Sequence, residues 1–213
     1  HFTANVWRLR PVDFNEASRL GSVAGANFVD WPISYDDLEP YYTKVDWEMG
    51  VSGVPGPFDP PRSKPYPMPP LRTTGYLDRM AGAAKALGWH PFVGPAAINS
   101  ERYQGRMPCM YHGFCNRGGC HVDAKNSPNV TTIPRAQKTG RLKVVTEAHV
   151  TKIECDANGK VTGVTYVTGK EEFFQPAKAV LLASYTYENS RLLLLSTSKA
   201  FPKGLSNNHG QVG

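Results

Sequence analysis

The sequence predicts a mixed α/β fold, and three observations predict it. Two helical patterns occupy residues 35–49 and 75–87, an alternating β pattern surrounds Asn158-Gly159, and a continuous apolar run at residues 179–183 leads at once into another helical pattern. A β meander followed by a buried strand and a helix fits α/β architecture with an inserted β unit, and no internal repeat is visible.

Each element has its own local reason. Ser34 can N-cap a helix at Tyr35–Met49, Asp36, Asp37 and Glu39 complement its dipole, Pro40 falls near the tolerant first turn, and Gly50 supplies a C-terminal stop. Residues 50–70 then carry eight prolines from Pro55 to Pro70. Missing N–H donors and fixed φ exclude a central strand or long helix there and predict an extended, polyproline-like surface excursion. Behind Thr74, the residues Leu77, Met80, Ala81, Ala84 and Leu87 recur at helical spacing until Gly88, which predicts an amphipathic helix.

In the second half the period changes. Residues 142–154 are rich in β-branched side chains, Asp156-Ala157-Asn158-Gly159 is a turn cluster, and residues 160–168 alternate again, so a hairpin is expected, with 171–175 as a third strand. Residues 179–183 (Ala-Val-Leu-Leu-Ala) read as a strand buried on both faces, followed by a helix at 187–196.

Composition narrows the function classes. No run reaches the roughly 18 apolar residues of a membrane-spanning helix. The net charge of +6 is mild and its basic residues are scattered, which gives nucleic-acid binding little support. The chain opens on His1 and closes on Gly210-Gln211-Val212-Gly213, so an interior piece of a longer protein is expected.

The densest chemical cluster runs from Cys109 to His121, where Cys109, His112, Cys115 and Cys120 follow one another with two, two and four intervening residues. Thiolate and imidazole at such intervals can close a zinc site or hold an iron–sulfur cluster, but the spacing matches neither standard pattern. A disulfide or buried free thiols is the favoured reading, with metal second. Cys155, at the end of a strand, reads as a small core residue. No Gly-x-Ser-x-Gly elbow, zincin helix motif or Gly-x-Gly-x-x-Gly fingerprint occurs, and His90 and His149 occupy positions where a structural or exposed imidazole is the default.

Five strings carry a family resemblance: Trp7 to Phe14; Asp30-Trp31-Pro32-Ile33-Ser34-Tyr35-Asp36-Asp37-Leu38-Glu39-Pro40-Tyr41-Tyr42; Tyr111 to Cys115; Thr131 to Ala136; and Tyr187 to Ser196. Together they resemble the glucose–methanol–choline (GMC) flavoprotein oxidoreductases, most of all the flavoprotein subunits of the gluconate 2-dehydrogenase type. The resemblance implies FAD as cofactor and oxidation of an alcohol group of a sugar, sugar acid or polyol by hydride transfer to flavin. In that family the Gly-rich FAD motif lies before such a segment and the catalytic His after it, so no catalytic residue is expected in these 213 residues and the segment alone is expected to be inactive.

Residue by residue, the resemblance implies that Thr3, Ala4 and Asn5 pass beneath the flavin ring and that the backbone of Val150 contacts the adenine. Ala183 and Ser184 form the turn near the nucleotide half of FAD, with Tyr185-Thr186 standing where the family usually has Gly-Ala. Read by themselves, Val150 is a core position and residues 3–5 an ordinary strand end. The implied division is 1–30 as flavin-proximal segment, 31–130 as helical, Pro-rich substrate side with the Cys loop, and 131–213 as the meander, buried strand and helix of the FAD domain. A small-molecule substrate, a cytochrome electron acceptor and a periplasmic setting also follow from the resemblance, with a cytoplasmic setting as the alternative. In the periplasm a disulfide among Cys109, Cys115 and Cys120 would persist. The competing function is a stand-alone binding module whose Cys/His loop, as metal or disulfide site, and Pro-rich excursion form a partner surface.

Overall fold

A computed structural model describes residues 4, 6–21, 24, 29–113 and 119–213. The chain divides into two compact units, His1–Leu142 and Lys143–Gly213.

The first unit carries α1 (Glu16–Leu20), α2 (Tyr35–Met49), α3 (Gly75–Ala86) and α4 (Thr132–Lys138), with a 3-10 turn at Pro11–Phe14. Helix α2 begins and ends where its sequence signals place it. The Ser34 hydroxyl accepts from the Asp37 N–H, the Asp37 carboxylate accepts from the Ser34 N–H at 2.8 Å, and Gly50 closes the helix with φ +81°. Pro40 lies in the second turn rather than the first, and the helix runs through it.

Helix α3 starts behind Thr74 as expected, but none of its residues is buried, so its apolar stripe is not a core face among the described residues. Residues 50–70 hold neither helix nor strand, yet they are not a surface excursion throughout. Val51, Ser52, Tyr66 and Met68 are buried, and Ser52 bridges both Met68 and Ala96. The core cluster is Ala4, Val51, Tyr66 and Ala97, with Val6 and Ile98 against it.

In the second unit β1 (His149–Cys155), β2 (Val161–Thr168) and β3 (Glu171–Pro176) form an antiparallel meander in the order β1-β2-β3, followed by α5 (Thr186–Leu195). Asp156 builds the first turn, its Oδ1 accepting from the N–H groups of Asn158 and Lys160 at 2.9 Å each, while Gly159 takes φ +81°. The register of β1 against β2 shifts between Val150 and Lys152, a bulge centred on Thr151. The Ser196 hydroxyl donates to Leu192 O and accepts from Ile153 N–H, tying α5 to β1 beside the buried Ile153 and Leu192.

Two expectations fail here. The first strand begins at His149, and residues 142–147 are exposed and outside any strand. Residues 179–183 form no strand, and Leu181 is 91% exposed. The reason is common to both: an apolar run becomes a strand only by gaining a ladder partner, and the three strands of this sheet pair only with one another. The mixed helix-and-strand class stands, whereas the buried strand does not.

Candidate functional site

In the first unit, chemistry converges where Arg8 meets α2. The buried positions of α2 are Tyr35, Glu39, Thr43 and Asp46, one helical face made of polar side chains. Arg8, its side chain 5% exposed, spreads its guanidinium over that face. Nη1 donates to the Tyr35 hydroxyl at 3.2 Å and Glu39 Oε1 at 3.1 Å, and Nη2 donates to Thr43 Oγ1 at 3.2 Å and Asp46 Oδ2 at 2.7 Å. Arg62 reaches the same Asp46 oxygen at 2.5 Å, and its guanidinium lies 3.7 Å from the Tyr66 ring centroid. Two guanidinium and two carboxylate charges therefore balance in a nearly dry cluster, the condition under which buried charge is tolerated.

The electrostatics follow from those contacts. Burial alone would push the Glu39 carboxyl up. Hydrogen bonds from Thr43, Ser63 and Arg8 outweigh it and bring the group down to about 2. For Arg8, burial lowers the pKa, but the bonds to Asp46, Tyr35 and Glu39 more than reverse it and the net shift is upward. Burial raises the Tyr66 phenol, which stays neutral at pH 7.

Beside this cluster lies a cavity of about 400 Å³, walled by Val6, Trp7, Asp59, Arg62, Tyr66 and Phe92. Trp7 is largely exposed and Phe92 about half exposed, while Asp59, Arg62 and Tyr66 supply an acceptor, donors and a phenol. Such a wall suits a small ligand with hydroxyl groups around an apolar frame. Among the described residues no histidine lines it.

Of the residues singled out from sequence, Ala4 is fully buried with φ +59°, its carbonyl accepting from Ala97 N–H at 2.7 Å. Its methyl packs in the core cluster and its backbone is buried with it, so Ala4 itself presents no surface to a ligand. Thr3 and Asn5 lie outside the described residues. In the second unit, Val150 is half-buried on β1, an edge strand with a ladder partner on one side only. Ala183 and Ser184 are exposed in the turn before α5, where the Ser184 N–H donates to Asn189 Oδ1 at 2.9 Å.

Tyr185, next in that turn, takes φ +86° and ψ 152°, a conformation natural to glycine and strained for a bulky side chain. No side chain caps α5, which leaves its first N–H groups to another acceptor. An edge strand, a glycine-like turn and an uncapped helix start fit the nucleotide half of FAD, although Tyr185 adds bulk where the close approach is needed.

The Cys loop does not build a metal site among the described residues, where no group of three or more His, Cys, Asp or Glu side chains is placed to hold an ion. Cys109 and Cys120 are free half-buried thiols, which falls within the favoured reading of a disulfide or free thiols, and Cys115 lies outside the described residues. His112 and His121 stack with ring centroids 4.6 Å apart and Nε2···Nδ1 at 3.0 Å. Cys155 is also a free half-buried thiol, pushed up by burial and by the neighbouring Asp156 and Glu154 carboxylates.

Sequence reasoning missed Arg8, Asp46, Asp59, Arg62 and Tyr66. The available signal was the spacing of Glu39, Thr43 and Asp46, which puts three polar side chains on one helix face.

Comparison with known proteins gives a consistent picture. Residues 26–209 match the model of the GMC oxidoreductase family. The chain is 30% identical to the gluconate 2-dehydrogenase flavoprotein of Pantoea cypripedii and 34% identical to the fructose dehydrogenase large subunit of Gluconobacter japonicus. It is also 34% identical to the 2-methyl-1,2-propanediol dehydrogenase of Mycolicibacterium austroafricanum. All of this chain aligns in each case, covering 39%, 38% and 38% of those relatives respectively. It therefore spans about two fifths of their length.

Proposed function

The chain belongs to the GMC oxidoreductases, whose N-terminal domain binds FAD, and from that premise we propose that it is the central part of an FAD-dependent dehydrogenase oxidising an alcohol carbon of a sugar, sugar acid or related polyol. The single observation that carries this reading is the alignment of the entire chain with relatives that are dehydrogenases, two of them named for a sugar acid or a sugar.

Bound FAD would supply the hydride acceptor. This chain's residues bind and orient. The flavin ring is assigned, on the family resemblance alone, to the stretch that contains Thr3, Ala4 and Asn5, within which Ala4 is a buried core residue. The free edge of β1 at Val150 offers N–H and C=O groups to the adenine. The turn at Ala183 and Ser184, with the uncapped start of α5, receives the phosphate side of the nucleotide. The cavity beside Trp7 and Tyr66 receives part of the substrate and excludes water from it. No residue here is assigned the removal of the hydroxyl proton. Electrons would leave toward a cytochrome partner in the periplasm, in keeping with the gluconate-type likeness.

The test is anaerobic mixing of the purified whole protein with gluconate, fructose and a 1,2-diol. Bleaching of the oxidised flavin band by at least one is expected. A flavin that none of them, nor a wider panel of sugars and polyols, reduces would overturn the assignment of substrate class. The stand-alone binding module has no observation in its favour.

A further inference from the structure

We propose that Asp59 is a specificity-determining residue, setting the cavity beside α2 to take an uncharged sugar or polyol and to turn away a sugar acid. The inference rests on the reading that this cavity receives part of the substrate.

The charge balance of the wall carries it. Arg8, Asp46, Asp59 and Arg62 all line the cavity. Arg8 is matched by Glu39 and Asp46, and Arg62 by the same Asp46 oxygen. The two arginine side chains are only 5% and 7% exposed. The Nε of each has no hydrogen-bond partner among the described residues, but both atoms are buried and out of reach of an incoming carboxylate. Asp59 differs. It is half-buried and makes no ion pair among the described residues, so it leaves the wall with one unmatched negative charge.

That carboxylate is held in place. Gly56 N–H donates to Asp59 Oδ2 at 2.9 Å and Asp59 N–H donates to Gly56 O at 3.2 Å, closing a turn around Pro57 and Phe58. Phe92 packs directly on the turn, since a Cβ on Gly56 would fall 2.4 Å from its ring. Asp59 Oδ1 has no hydrogen-bond partner among the described residues and is left to accept from a ligand hydroxyl. The Trp7 and Phe92 rings meet the C–H face of a sugar, and the neutral Tyr66 phenol adds a further hydroxyl partner. An uncharged polyol therefore suits every part of this wall. A carboxylate would bring like charge to Asp59 and meet no unmatched cation among the lining residues, which is discrimination by repulsion.

The experiment uses the whole protein with FAD bound and two ligands that share one polyhydroxy chain, gluconate and its uncharged amide, gluconamide. Titration calorimetry at pH 7 and low salt is expected to give a Kd for gluconamide about tenfold or more below that for gluconate, with the gap narrowing at high salt. Asp59→Asn keeps an acceptor for Gly56 N–H and removes only the charge. It is expected to bring the two Kd values within about threefold of each other, mainly by tightening gluconate. A gain in affinity cannot come from misfolding. Gluconate binding the wild-type protein as tightly as gluconamide, or a gap that persists in Asp59→Asn, would overturn the role of Asp59 while leaving the cavity as a substrate site. Wild-type protein that binds neither ligand, nor sorbitol or fructose, would instead overturn the underlying reading, so the two failures are distinguishable.

Discussion

The two units are held by opposite means. The first joins a small apolar cluster to a few buried polar contacts: Arg8 and Arg62 on the buried face of α2, and Asn126, whose amide donates to Gly50 O at 2.5 Å and Asn99 Oδ1 at 2.9 Å. The second unit is held by a meander ladder spread over three strands, with one small contact among Ile153, Leu192 and Ser196. A ladder shares its load, whereas a buried charge cluster concentrates it. The first arrangement is brittle and precise, the second tolerant.

The sharpest way to break this contrast is Asp46→Ala, because Asp46 is 2% exposed and serves both guanidiniums. Loss of about 3–5 kcal/mol is expected from denaturant unfolding, the cost of leaving buried charge unpaired. A loss below about 1 kcal/mol would show the cluster to be dispensable. Next comes Gly163→Ala in β2, where an added Cβ would sit 2.3 Å from the Gln175 carbonyl and 2.7 Å from the Phe174 ring. It should cost about 1–3 kcal/mol, read in the same unfolding experiment, and would show that the ladder can also be broken from inside.

The buried cluster also carries a pH dependence. The Glu39 carboxyl is depressed from 4.5 to about 2 in the folded protein. A depressed carboxyl contributes its stabilisation in full above the unfolded value, so that contribution is lost as pH falls from 4.5 toward 2. Stability measured against pH should decline in that window, and Glu39→Gln should flatten this part of the decline. Smallest of all is Arg191→Ala, which removes the exposed pair with Glu188 on α5. Thermal unfolding should register less than about 0.5 kcal/mol.

The same division explains what could be read from the sequence. Helix α2, the start of α3 and the turn at Asp156-Ala157-Asn158-Gly159 were legible because caps and turns are decided within a few residues. Residues 179–183 were misread because apolar content makes a strand only where a partner strand lies beside it. The burial of Val51 and Met68 was hidden by the prolines between them, which forbid regular structure but not a return to the core. For the candidate site, Ala4, Val150 and Ser184 rest on the family resemblance as a whole, while the partnership of Arg8 with α2 was invisible to hydropathy. A polar stripe on a helix normally faces water, and here it faces an arginine 27 to 38 residues away in sequence.

The most direct test of the account is the cofactor itself. Absorbance of the purified whole protein, with the extracted cofactor identified by mass, should show oxidised flavin bands and close to one FAD per chain. A folded protein that carries no flavin and takes up none on incubation with FAD would contradict it.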